Sequence, residues 1–210
     1  GFQPSAGLAL DGGARGGGLG GLIALGQIAL GQPIGTGIRH VTKAGDATFV
    51  LPANSQHSGR TAIARGGVSI VNLSSLGTSS TEPIVFRPGA RHSETYRPRL
   101  IYTGPAGSTN KPVAFTGLVA DGVIEASGSG ALIWNGNFEI TPKTTDPARK
   151  PSSNAFFTLG GTNTSDNTFA GNISDAGVSV TYDSVTTPVT LTVNKANGGT
   201  WVLTGTNSTK

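Results

Sequence analysis

The chain has 210 residues, of which 33 are Gly and only 12% are charged, and its formal net charge at pH 7 is +4. This composition excludes a charge-rich disordered tail and a helical bundle, and it fits a single all-β domain. The absence of Cys excludes a disulfide framework, a thiolate metal site and a thiol nucleophile.

Residues 1–40 form a Gly-rich segment, which we expect to be an N-terminal cap or edge of the domain. The sequence Ile-Ala-Leu-Gly-Gln occupies residues 23–27 and again residues 28–32. Because each Gly inside a helix costs ~1 kcal/mol, the repeat favours short strands and tight corners. A short apolar helix over residues 19–30 that caps one end of the domain is the alternative.

Residues 41–55 contain a strand-and-turn unit that recurs at residues 193–208. In each copy a Val and a Lys precede a Gly-containing turn, which is followed by Thr, an aromatic residue, Val and Leu. Such repetition is typical of stacked β architecture, because each unit buries its apolar face only against a neighbouring unit. We predict that these residues supply the core of matching layers, with alternate members pointing inward: Phe49, Val50, Leu51, Trp201, Val202 and Leu203.

The segment KAGDATFVLPANSQHSGRT at residues 43–61, continued by GVSIVNLSSLG at residues 67–77, resembles the autotransporter-associated β-strand repeat. His57 takes a position that is usually aromatic in that repeat. Residues 157–173 are similar to the segment that precedes such repeats in large bacterial surface proteins. The resemblance implies a right-handed β-helix or related β-solenoid with short strands and Gly and Asn corners, exported to the bacterial cell surface.

Residues 78–112 interrupt this rhythm, and we predict that they are an inserted loop in a solenoid domain of residues 41–210. The only concentration of charge in the chain lies here and forms a possible contact loop: Arg87, Arg91, His92, Tyr96, Arg97 and Arg99. A solvated loop, a contact between subunits and a site for an anionic partner such as acidic polysaccharide are the alternatives. A net charge of only +4 argues against nucleic-acid binding.

The second half of the chain returns to short predicted strands, bounded by Gly corners and by a polar loop at residues 142–151. These strands cover residues 113–119, 123–126, 131–134, 138–141, 177–183 and 188–193. Their alternating apolar residues are typical of strands with one face on a core and one face in water. Corner asparagines are expected in left-handed turns and stacked hydrogen-bonding ladders: Asn54, Asn163, Asn167, Asn172 and Asn207.

No recognisable catalytic constellation occurs in the sequence. The three His residues lie in separate segments, and none has the spacing of a metal-ligand pair. Ser129 falls in a predicted turn rather than between a strand and a helix, where a nucleophile elbow would place it. Paired carboxylates on a solenoid face, such as Asp121 with Glu125, remain geometrically possible. We predict no catalytic residues, no metal, no cofactor and no enzymatic activity.

The resemblance implies an extracellular or cell-surface bacterial protein, and no run of the sequence is long and apolar enough to span a membrane. The main hypothesis is a structural subunit of a surface fibre, sheath or layer. The alternatives are an autotransporter-type adhesin passenger that binds carbohydrate or matrix, and a glycan-cleaving β-helix enzyme. Because the sequence stops within a copy of the repeat, we expect head-to-tail self-association by strand addition at the ends, with surface polysaccharide as a second partner.

Overall fold

Short β-strands supply almost all of the regular structure. A computed structural model describes residues 7–11, 28–29, 32–88, 97–118, 120–142 and 150–208, and in these ranges the only helix is a 3-10 helix at Leu73–Leu76. The strands are, in chain order, β1 (Gly7–Asp11), β2 (Ile28–Ala29), β3 (His40–Ala44), β4 (Phe49–Leu51), β5 (Thr61–Ile63), β6 (Gly67–Ile70), β7 (Ile84–Phe86), β8 (Arg99–Tyr102), β9 (Gly107–Thr109), β10 (Val113–Gly117), β11 (Ala120–Ala126), β12 (Leu132–Trp134), β13 (Phe138–Pro142), β14 (Asn154–Gly160), β15 (Asn167–Phe169), β16 (Ser179–Tyr182), β17 (Val185–Pro188), β18 (Thr190–Lys195) and β19 (Trp201–Leu203).

Three sheets contain most of these strands. The first sheet has the order β1-β3-β5-β7-β10-β13, the second β18-β14-β11-β8-β6-β4-β2, and the third β19-β15-β12-β9. Neighbouring strands in the three sheets are parallel, except that β1 is antiparallel to β3. The strands β16 and β17 form a separate antiparallel hairpin.

From β7 to β15 the chain contributes strands to the three sheets in a fixed order. The strands β7, β8 and β9 belong to the first, second and third sheets, and β10 to β12 and then β13 to β15 repeat that order. Before β7, the strands β3 to β6 alternate between the first and second sheets. Since the pairing is parallel and in register, each pass of the chain lies directly against the pass before it.

The apolar core is built from rows of side chains that run across the strands. One row in the first sheet contains Ile63, Phe86, Phe115 and Ile140, all of which are buried. One buried cluster draws residues from all three sheets. Within it, ring contacts with centroid separations between 4.8 and 5.7 Å link five aromatic residues: Phe86, Phe115, Phe138, Phe157 and Phe169. Such pairs contribute ~0.5–1.5 kcal/mol each beyond the area they bury.

Asparagine side chains join successive passes at the corners. The fully buried Asn167 accepts a hydrogen bond from the Leu132 N–H at 2.9 Å and donates one to the Thr200 carbonyl at 2.8 Å. Comparable bonds between passes are made by Asn163, Asn172 and Asn207. The predicted hydrogen-bonding ladders are therefore confirmed. Left-handed backbone, by contrast, occurs at Asn54 but not at these four corner residues.

Residues 78–112 differ from the predicted inserted loop, because they contain β7, β8 and β9, one strand for each sheet. These strands are only three or four residues long and are separated by Pro- and Arg-containing segments, so they carry too little alternation to be recognised. Near the N-terminus, residues 28–29 are a strand that pairs with β4 rather than part of a helix. The rest of the alternative helix, and most of the predicted loop at residues 142–151, lie outside the described residues.

The hairpin β16–β17 follows β15, at the point where earlier passes enter the first sheet. Its two-residue turn places Asp183 and Ser184 at φ values of 49° and 62°, as the tight turns of two-residue hairpins require. Val180 in the hairpin and Val189 immediately after it are buried and belong to the main core cluster. The hairpin therefore packs against the core although it joins none of the three sheets.

Candidate functional site

The six residues expected to form the repeat core lie in two different sheets. In the second sheet, β4 buries Phe49 and Leu51 and leaves Val50 partly exposed. The corresponding residues of the downstream copy form β19, at the end of the third sheet. The two copies therefore repeat a local structure rather than a position in the stack.

The strand β19 is less well covered than its upstream counterpart. Trp201 pairs with Asn167 and Leu203 with Phe169, so both residues continue inward-facing rows. Leu203 is nevertheless 43% exposed and Trp201 is only partly buried, because β15 is the only neighbouring strand of β19 in the described chain. Val202 lies on the outer face and is 37% exposed. This copy is thus less buried than β4.

The lysine of each copy caps the turn that follows it. Lys43 Nζ donates hydrogen bonds to the carbonyls of the next two residues at 2.8 and 2.7 Å, and Lys195 Nζ does the same at 2.9 and 2.7 Å. The second residue of each turn has a positive φ, 77° at Gly45 and 59° at Asn197. The repeated sequence therefore encodes one turn, used once between the first and second sheets and once between the second and third.

The basic residues proposed as a contact loop have different environments. Arg97 and Arg99 form ion pairs with β11, to Asp121 at 2.9 Å and to Glu125 at 3.3 Å. The Asp121 side chain is fully buried. The ion pair between Arg97 and Asp121 therefore connects two segments of this chain and does not serve to bind a partner molecule. Three members of the predicted set lie outside the described residues: Arg91, His92 and Tyr96. Arg87 is exposed and lines the groove described next.

A groove of about 610 Å³ runs over the outer face of the first sheet. Ala62, Val85 and Ala114 form its floor, side by side in register on β5, β7 and β10. The same row continues to Thr42 at one end and to Glu139 at the other. Because this row crosses five strands with a spacing of ~4.8 Å, the groove is about 19 Å long. We call it the outer groove.

Arginines stand on opposite walls of the outer groove. Arg60 lies two residues before Ala62 and Arg87 two residues after Val85, and Ala62 pairs with Val85. The two arginines are therefore about 13 Å apart along the strand direction. Both are exposed, and neither forms an ion pair within the part of the chain that the structure describes. Hydroxyl groups complete the walls at Thr42, Thr116 and Thr141.

Two carboxylates also line the outer groove, but they lie apart. Glu82 precedes β7, whereas Glu139 lies on β13, two strands away. Burial lowers the pKa of the Lys111 ammonium, and the nearby charge of Glu82 opposes that shift. Lys111 itself is buried and donates a hydrogen bond to the Ser79 carbonyl. Glu82 is thus partly balanced by Lys111, and the lining of the groove carries two arginines and two glutamates.

The buried His57 is not part of the outer groove. Its Nε2 lies 2.9 Å from the Thr61 hydroxyl, and Thr61 points inward from β5 while the groove lies on the opposite face. Burial, together with the charges of Lys111 and His40, lowers the pKa of His57 to about 4. His57 is therefore neutral at pH 7 and has no access to a ligand in the groove.

Among the described residues, neither a metal-binding cluster nor a membrane-spanning helix occurs. No group of three or more His, Cys, Asp or Glu side chains that could hold a metal ion occurs among them. The helical structure found there is too short to cross a bilayer. The expectation that the protein needs no metal or cofactor stays a prediction.

The sequence alone does not predict the outer groove. Its floor is one small residue from each of three strands, and nothing in the local sequence shows that these residues share a row. Arg87 was part of the predicted basic loop, but Arg60 carries no signal beyond being a charged residue next to a strand. Only the register of β5, β7 and β10 brings the two arginines to one site.

Comparison with known proteins relates the chain to a bacterial adhesin. Over 148 residues, or 70% of the chain, it is 35% identical to the adhesin BmaC autotransporter of Brucella suis biovar 1 (strain 1330). The match covers 4% of the length of that protein. No family model matches the chain, and no solved structure matches it. The chain is therefore similar, over most of its own length, to a small part of an autotransporter adhesin.

Proposed function

We propose that the chain is a surface-exposed segment of an autotransporter-type adhesin and that its three sheets form one β-solenoid. The similarity to the Brucella adhesin carries the functional part of this proposal. The strand order supports the solenoid, because the chain passes through the three sheets in the same order three times. This reading replaces the structural subunit as the preferred hypothesis.

A stack of this kind suits adhesion for a physical reason. Each pass is held by its neighbours, so the outer faces are stiff and present side chains at a regular spacing. The outer groove lies on such a face, and its hydroxyl and guanidinium groups are suited to binding.

Attachment of beads coated with the purified 210-residue chain tests the adhesin function. We expect such beads to adhere to surfaces coated with extracellular matrix or to cultured epithelial cells, and an excess of soluble chain to block the adhesion. Beads coated with the same amount of heat-unfolded chain are the matched control. Attachment no greater than that of the control on every surface would contradict the proposal.

The structural subunit remains a second candidate, which one observation favours. In the described chain, β18 and β19 each have a neighbour on one side only, and Val202 and Leu203 are exposed beside that edge. An open strand edge recruits another strand, from the same chain or from a second copy. The measurement that separates these outcomes is given in the Discussion.

A further inference from the structure

We propose that the outer groove binds a linear acidic polysaccharide whose charges are carboxylates, as in a chain of uronic acids. The proposal rests on the adhesin function and names the ligand class and the site. Its basis is the pair of arginines Arg60 and Arg87, which have no ion-pair partner among the described residues and stand on opposite walls of a narrow floor of small side chains.

The ligand must be recognised by side chains rather than by main-chain groups. The floor strands β5, β7 and β10 are each paired on both sides, so their N–H and C=O groups are engaged in the sheet. An extended peptide therefore has no strand edge to join in the groove. The groups that remain available are guanidinium, hydroxyl and carboxylate groups, which complement a polymer of hydroxyls and anions.

Charge complementarity favours an anionic ligand. The guanidinium group presents a planar set of donors that matches a carboxylate in a two-point contact. The whole chain is also basic, with a net charge of +4 and a pI near 9.7. Glu82 and Glu139 also line the groove, so the ligand must place its carboxylates beside the arginines and its hydroxyls beside the glutamates.

The shape of the groove favours a thin, extended polymer. The floor residues Ala62, Val85 and Ala114 have short side chains, so a ligand lies low between the walls. One strand spacing of ~4.8 Å is close to the length of one sugar unit in an extended glycan, so the groove accommodates about four units. No Phe, Tyr or Trp lines the groove, so it offers no aromatic ring on which a nucleobase stacks.

Calorimetric titration with hexagalacturonate tests this inference. We expect the wild-type chain to bind it, the neutral hexasaccharide of galactose not to bind, and the affinity to fall as salt is added. The double variant Arg60→Gln/Arg87→Gln should bind at least about tenfold more weakly, since it loses both charge-assisted contacts. Arg39→Gln is the matched control, because Arg39 is also exposed but does not line the groove, and its affinity should stay within about twofold.

Three results would overturn the inference: no binding of hexagalacturonate at millimolar concentration, equal affinity in the double variant, or equally tight binding of poly-L-glutamate or single-stranded DNA. The last result would show non-specific attraction to a basic surface. The bead assay separates this inference from the adhesin function. If beads adhere equally with and without the double substitution, the groove inference fails but the adhesin function stands. If the saccharide binds but the beads do not adhere, the groove inference stands but the adhesin function fails.

Discussion

At the scale of single residues, His57 shows how a polar side chain is accommodated in the core. It is completely buried and contacts the Thr61 hydroxyl. Protonation inside the core is unfavourable, because burial disfavours the charged form.

We therefore expect His57 to make the protein sensitive to acid. The unfolded chain takes up a proton near pH 6.5, whereas the folded chain resists it until about pH 4. The stability that this residue contributes is present above pH 6.5 and is lost as the pH falls from 6.5 toward 4. The loss amounts to about 3 kcal/mol.

Urea unfolding at pH 7 and pH 4.5 measures this effect against the variant His57→Gln, which keeps a polar contact but does not titrate. The difference in unfolding free energy between the two pH values should be smaller in the variant. Equal differences in both proteins would assign the acid sensitivity to other groups.

The two tryptophans should differ in their contribution to stability. Trp134 is fully buried and donates a hydrogen bond to the Lys111 carbonyl at 2.7 Å, whereas Trp201 is only partly buried and donates to the Gly160 carbonyl at 2.8 Å. We expect Trp134→Ala to cost about 3–5 kcal/mol and Trp201→Ala about 1–3 kcal/mol. Denaturant unfolding of the two variants gives the comparison. A cost below ~1 kcal/mol for Trp201→Ala would mean that its ring contributes little to the core.

At the scale of elements, the corners are as informative as the strands. Asn167 lies at the start of β15 and connects the pass before it with the pass after it through the Leu132 N–H and the Thr200 carbonyl. Without the side-chain amide, these main-chain groups lose a partner in a buried corner. A buried group left unsatisfied costs ~1–3 kcal/mol.

We expect Asn167→Ala to destabilise the protein by about 2–4 kcal/mol. Asn135→Ala is the control, because the Asn135 side chain is exposed and, among the described residues, bonds only to the exposed Asn110 side chain, at 3.0 Å. Its cost should be below ~0.5 kcal/mol. Unfolding of both variants in urea measures the contrast, and similar costs would show that the corner bond adds nothing beyond a surface contact.

At the scale of the whole molecule, we propose that copies of the chain associate through unpaired strand edges. The edges of β18 and β19 that face away from β14 and β15 are unpaired in the described chain. If a second copy pairs there, the 210-residue chain should form larger species as its concentration rises. The variant Val202→Lys, which places a charge on the exposed outer face of β19, should reduce that tendency.

Light scattering over a range of concentrations, followed by negative-stain imaging, measures the association. The outer-face variant Ile133→Lys is the control, because Ile133 is equally exposed but lies on β12, which has neighbours on both sides. A monodisperse monomer at the highest concentration would contradict strand addition between copies. It would leave the adhesin function untouched.

The sequence by itself determined the local structure of this protein. Alternating apolar residues predicted short strands, and the observed β10, β11, β12, β13 and β18 overlap the predicted ranges. The repeat of Lys, turn, aromatic, Val and Leu predicted two equivalent units, and the same lysine-capped turn occurs in both. These features depend on neighbouring residues and on preferred backbone angles, so they are visible in short stretches of sequence.

Only the tertiary structure decided which strands are neighbours. Register across strands separated by 20 or more residues places Arg60 and Arg87 on one groove, pairs Arg97 with Asp121, and leaves Leu203 in an inward row without a covering layer. The predicted basic loop was divided for the same reason, since Arg87 follows β7 of the first sheet whereas Arg99 lies on β8 of the second sheet. A parallel pair is joined by long connections, and no short-range pattern fixes which residues face each other across it.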